Sequence, residues 1–196
     1  MQKIKIKVNE KIFQCTLSFI NSNFGKPSSL FDVETENYPY RIMWIKPTEE
    51  NQYHILTTLG LHLIKFPYLP KKVEGVELFI RLPQTWDLEK SDWPLRLIDG
   101  IVSSLLKGEV MNPGSTYRFL KELDTNTKQC AAVVHYSMLG LEKTVCQFKK
   151  KDILFLEIQT LYEDEWEKII AGNEVVIEKL YSLPYADLNR ETFVKD

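Results

Sequence analysis

Chemistry near neutral pH needs a nucleophile beside a base, a pair of carboxylates at a set distance, or a group of metal ligands, and the chain has residue types for each. Its thiols are Cys15, Cys130 and Cys146, and its imidazoles are His54, His62 and His135. The cysteines are odd in number and widely spaced, with no Cys-x-x-Cys pair and no histidine beside them at zinc-ligand spacing. They read as core or surface thiols of a reducing compartment. Cys130 and His135 stand five apart in a probable strand, where alternation sends their side chains to opposite faces and so away from a thiolate–imidazole pair. There is no Gly-x-Ser-x-Gly turn, phosphate-cradling glycine loop or dinucleotide fingerprint, and the nearest glycine cluster, Gly140-Leu141-Glu142, lacks a nucleophile. The densest carboxylates, Glu163, Asp164, Glu165 and Glu167, have the types for an acid and a base in hydrolysis. Their spacing suits the first turn of a helix better, where acidic groups meet the positive end of the dipole and Asp164 lies four residues before Lys168. Glu163 and Glu167, one turn apart on a shared face, are left as an acidic strip for a basic protein.

The elements that must position these groups are legible in stretches. Ser91 to Gly108 reads as a capped helix: Asp92 is placed to accept from the first free amides, Pro94 fits the first turn, and Gly108 supplies the stop. Leu97, Ile98, Ile101, Val102, Leu105 and Leu106 form its apolar face, and the Trp93 ring staples its start to whatever lies beneath. Another helix is expected from about Glu10 to Ser22, with Phe13, Thr16, Leu17, Ile20 and Phe24 on one face. Two short helices, Glu163 to Ala171 and Glu174 to Tyr181, are divided by Gly172-Asn173, where glycine ends one and asparagine caps the next.

Strands are expected at Lys3 to Val8, Tyr40 to Ile45, Tyr53 to Thr58, Val76 to Leu82, Ala131 to Met138 and Ile153 to Leu161. Pro27 to Asn37 reads as a loop, and most of Glu109 to Thr127, with its Asn112-Pro113-Gly114 turn, as irregular. Lys149-Lys150-Lys151 reads as a solvated turn. The aromatic groups Tyr38-Pro39-Tyr40 with Trp44, and Phe66-Pro67-Tyr68-Leu69-Pro70, either cover the core or anchor an interface.

At 196 residues and 44% hydrophobic, the chain supports one substantial core, so a single domain over residues 1–196 is expected. The fold class is α/β (α+β), a mixed, largely antiparallel sheet covered by helices. A net charge of −2 gives no general attraction to nucleic acid or to an anionic membrane. No apolar run is long enough for a signal peptide or a membrane span, and the expectation is a cytoplasmic protein. No metal or other cofactor is expected.

Taken in order, four of these features resemble the suppressor-of-fused domain family: the strand end Thr58-Leu59-Gly60, the strand Glu77-Leu78 to Leu82-Pro83, the Trp93-Pro94 helix, and the late strand that runs into a Glu-rich helix. Phe24-Gly25, Pro47-Thr48 and Asn189-Arg190 extend the resemblance over roughly residues 20 to 192. The resemblance implies a scaffold held by Thr58, Gly60, Trp93 and Pro94, no catalysis, and a protein partner. In animals the family retains transcription factors of the Hedgehog pathway in the cytoplasm, and many bacterial members look like immunity proteins of toxin systems. Alignment through Trp93-Pro94 puts Ser104 where animal members carry a partner-gripping tyrosine, and Glu109 near their acidic contact. Only the acid is kept, and the length leaves no room for the second domain of the animal proteins, so the resemblance favours the compact bacterial role. The leading expectation is a binder that neutralises a co-produced toxin, with Glu109, Glu163 and Glu167 as partner-contacting residues. A regulatory adaptor without a toxin is the alternative, and a small hydrolase is a remote one. Which partner is bound, by which face and in what oligomeric state, is left open by the sequence.

Overall fold

The longest apolar strands occupy the centre of the sheet, where both faces must be covered. In the computed structural model, which describes residues 10–33, 39–64, 69, 71–137 and 143–194, they are β4 (Val73–Leu82) and β8 (Lys151–Tyr162). These two run parallel, with Leu78 opposite Leu156 and Phe79 opposite Glu157. Every other pairing among the described residues is antiparallel: β1 (Ser29–Val33), β2 (Tyr40–Ile45) and β3 (His54–Leu59) extend it from β4, while β6 (Gln129–Tyr136) and β5 (Ser115–Arg118) extend it from β8. β7 (Val145–Phe148) forms a hairpin with the start of β8. The lysine cluster supplies its turn, with Lys149 at φ 58°. The strand order is therefore β1-β2-β3-β4-β8-β6-β5, the mixed and largely antiparallel sheet expected from the sequence.

Strand alternation divides the apolar residues between two faces. On one, Ile42, Leu56, Leu78, Ile80, Leu156, Ile158, Ala132 and Val134 pack against α2 (Trp93–Leu106), whose buried Trp93, Pro94, Leu97, Ile98, Ile101, Val102 and Leu105 are the face its periodicity predicts; Leu106 is only partly covered. On the other, α1 (Glu10–Asn23) lays Ile20, with Phe24 just beyond it, over Met43, Ile45, Ile55, Phe79 and Phe155. α3 (Glu163–Ile170) and α4 (Glu174–Tyr181) cover Ala131, Val133 and Leu161 through Trp166, Ile169, Val176 and Leu180. Between those helices the expected punctuation holds: Gly172 adopts φ 78°, and Asn173 Oδ1 accepts from the Val176 amide at 3.2 Å.

Glu109 to Thr127 is mostly irregular, as expected, with the short polar strand β5 inside it. Three local expectations are corrected. Pro27 to Asn37 contains β1, which among the described residues is paired on one side only, so it needs no apolar run and leaves Leu30 54% exposed. Asp92 does not cap α2 with its side chain; its carboxylate pairs with Arg96 at 2.9 Å, and its carbonyl starts the helix by accepting from Leu95 and Arg96. Asp164 does not pair with Lys168 but accepts from the Thr192 hydroxyl at 2.9 Å. The expected strand Lys3 to Val8, the cluster Gly140-Leu141-Glu142, Tyr38 and most of Phe66 to Pro70 lie outside the described residues. Of the last group, Leu69 packs partly buried on the core beneath α2.

Candidate protein-binding surface

Thr58 and Gly60 are drawn together by one carboxylate. Glu77 on β4 is fully buried. Its Oε2 accepts from the Thr58 hydroxyl at 2.5 Å, and its Oε1 accepts from the backbone amides of Gly60 at 2.8 Å and His62 at 3.2 Å. Oε1 also lies 2.5 Å from His62 Nδ1, which donates when that nitrogen carries the hydrogen. The chain can make this turn because Gly60 takes φ 117°, a region costly for other residues, and starts the 3-10 turn Leu61–Leu63. It can lie this close to β4 because residue 75 is also glycine: a Cβ there would stand 2.5 Å from the His62 backbone. The Thr-x-Gly strand end and the Glu77 strand, read separately in the sequence, thus form a single buried polar node. His62 belongs to it, and its two-residue offset from Gly60 was the available signal.

Trp93 and Pro94 anchor α2 on the sheet, both buried. Trp93 forms one wall of a shallow cavity of about 230 Å³, bordered also by Trp86, Asp124, Asp187 and Asn189. Among the described residues no group of three or more His, Cys, Asp or Glu is arranged to hold a metal ion. His135 stacks on Tyr181 with ring centroids 4.3 Å apart, whereas Cys130 donates to Glu163 at 3.2 Å, so the two do not form a catalytic pair. A second buried carboxylate, Glu165, closes the C-terminal segment over α3: Arg190 meets it with two nitrogens at 2.6 Å each, and the Phe193 amide donates to it at 2.9 Å. That fork explains why Asn189-Arg190 is a fixed point of the chain.

The three glutamates singled out for partner contact gather around β5, the terminal strand of the sheet among the described residues. Glu109 follows α2, where Gly108 at φ 97° turns the chain and the Glu109 amide donates back to Ser104. It is exposed, and its charge adds to burial in pushing the Tyr117 phenol on β5 up to about 12. Glu163 meets the neighbouring β5 residue, Arg118, at 2.6 and 3.0 Å; the Cys130 hydrogen bond and then this pairing hold its carboxyl below the usual range. Arg118 also lies over the Trp166 ring, 5.2 Å from its centre. Glu167, one turn along α3, is exposed and has no side-chain hydrogen bond or ion pair among the described residues. The glutamates therefore differ: Glu163 is neutralised within the protein, while Glu109 and Glu167 keep unpaired charges. The sequence did not single out Leu120, just past β5 and fully exposed, or Val110 at the other end, 41% exposed. Among the described residues no strand pairs the outer edge of β5, which lies between these two exposed side chains in the chain.

A mixed sheet with helices on both faces, and with its buried charges committed to holding turns and termini, defines an α/β sandwich. Comparison with solved structures identifies this sandwich as the suppressor-of-fused fold. A suppressor-of-fused homologue of Neisseria gonorrhoeae FA 1090 matches with a TM-score of 0.66 at 11% identity, covering 96% of this chain and 100% of its own. The protein in the crystal structure of the Sufu–Fu complex matches at 0.64 and 15% identity, covering 93% and 90%. Drosophila Suppressor of fused matches at 0.61 and 16%, and this chain, 92% covered, spans 50% of that one. No protein-family model and no curated protein matches the sequence. Among the described residues no helix is long and apolar enough to cross a membrane.

Proposed function

We propose that the protein is a non-catalytic protein-binding module that neutralises a co-produced toxin by covering its working surface. Its fold is shared with a protein solved in a complex, Sufu–Fu, which supports the binding part of the reading. The match along the whole length of the N. gonorrhoeae homologue supports the compact bacterial role.

The observation that carries the contact surface is the edge of β5, which no strand among the described residues pairs, with Leu120 fully exposed beside it and Glu109 and Glu167 unpaired around it. An unpaired strand edge accepts an extended segment through main-chain hydrogen bonds, an exposed leucine supplies an apolar anchor, and free carboxylates steer a basic partner. The occupant proposed is a basic, extended segment of the toxin. Thr58, Gly60, Trp93 and Pro94 hold the scaffold and make no contact with it.

The test captures partners of the tagged protein from its native cells, identifies what survives a salt wash, and expresses that partner with and without the protein. A partner that arrests growth alone and is silenced by co-expression is the expected result. A harmless partner would support the adaptor reading, for which the Sufu–Fu complex is a precedent.

A further inference from the structure

Cys15 and Cys146 are 131 positions apart in the chain, yet their Sγ atoms lie 3.7 Å from each other. The fold creates this approach: α1 crosses the sheet face next to the β7–β8 hairpin, with Cys15 on the helix side and Cys146 on the strand, paired with Ile153 of β8. Cys146 is 1% exposed within the cluster under α1, while Cys15 is only partly covered. The third thiol is held elsewhere, donating to Glu163.

We propose that Cys15 and Cys146 are an oxidisable dithiol that closes to an intramolecular disulfide on reaction with a small-molecule disulfide, fastening α1 to the β7–β8 hairpin. Closing a disulfide of about 2.05 Å requires the two sulfurs to move toward one another from this 3.7 Å contact. The less buried member, Cys15, reacts first. The Cys15 thiolate attacks one sulfur of oxidised glutathione, forms a mixed disulfide and releases one glutathione thiolate. Cys146 then gives up its proton and displaces the second glutathione, leaving the Cys15–Cys146 bond. Two protein thiols are oxidised and one molecule of oxidised glutathione becomes two of reduced glutathione. Burial and the neighbouring Cys15 push the Cys146 thiol up to about 12, so Cys146 stays protonated while Cys15 reacts and attacks only in the second step, where its closeness to Cys15 makes that step intramolecular. Burial and Glu163 push Cys130 up to about 11, so it serves as the internal control.

The folded protein is incubated with oxidised glutathione, its free thiols are counted, and it is digested with trypsin without reduction. The three cysteines fall in separate peptides: one beginning at Ile12, Gln129 to Lys143, and Thr144 to Lys149. The expected result is a fall from three free thiols to one, with the first and last peptides joined, Cys130 free, and full reversal by a thiol reductant. Cys130→Ser still closes, Cys15→Ser leaves Cys146 free, and amide exchange in α1 slows on closure while α2 is unchanged. Three persisting thiols, a stable glutathione adduct on Cys15 with Cys146 free, or a bridge that includes Cys130 would each overturn the proposal.

Discussion

Removing the Glu77 carboxylate strips the acceptor from the Thr58 hydroxyl, two backbone amides and the His62 ring at once, all in a region without solvent. A buried polar network that loses its hub leaves its other members unsatisfied, so Glu77→Ala is expected to cost about 3 kcal/mol or more. Urea unfolding reads this as a lower midpoint at unchanged slope, and a loss under about 1 kcal/mol would mean the node does not organise the turn. His135 gives the pH dependence at the same scale. Burial pulls its pKa down against the opposing effects of Glu157 and its bond to the Tyr136 carbonyl, with Arg81 adding to the decrease. The unfolded chain then binds a proton that the folded one resists. Stability is full above the unfolded histidine value of about 6.5 and is lost as pH falls below it. Unfolding followed from pH 7.5 down to about 5 should show this decline, and His135→Asn should flatten it. An unchanged slope in that variant would place the pH dependence elsewhere, with His54, also lowered by burial, as the next group to replace.

At the scale of elements, helices and central strands were legible because each carries a full period of burial. α2 buries the face its spacing marks, and Gly172-Asn173 divides α3 from α4 as their residue types require. The edge strands were not, because β1 and β5, paired on one side among the described residues, need no apolar alternation to be stable. That also hid the candidate surface: Glu109 and Glu163 were readable as exposed acids, but their gathering around one strand depends on β5, and Leu120 gained its meaning only with that strand in place. The C-terminal segment is likewise an element held by tertiary contact, through the Arg190 fork on Glu165 and the Tyr162 and Phe193 rings on either side. Arg190→Ala leaves a buried carboxylate without its counter-charge and should cost about 3 kcal/mol or more by the same denaturation assay. Wild-type stability in that variant would show that the segment docks without the pair.

Across the whole molecule, charge is used in two ways. Buried acids such as Glu77, Glu157 and Glu165 hold turns, strands and the C-terminal segment together, while the unpaired ones lie outside, with Glu109 and Glu167 bordering the β5 edge. The order of motifs pointed to the fold before any coordinates, because those motifs are the places where distant segments must meet. They did not indicate the contact face, since a partner reads the surface that the scaffold leaves open. The most direct measurement is therefore capture from native cells by the wild-type protein and by a Leu120→Asp, Glu109→Ala, Glu167→Ala variant, with both shown to unfold at the same urea midpoint. The account predicts a stoichiometric partner on the wild type and at least about tenfold weaker retention on the variant, as expected for losing an apolar anchor with its steering charges. A partner held equally by both proteins would contradict the β5 edge as the binding surface, and a wild type that retains nothing across growth conditions would contradict the binding role itself.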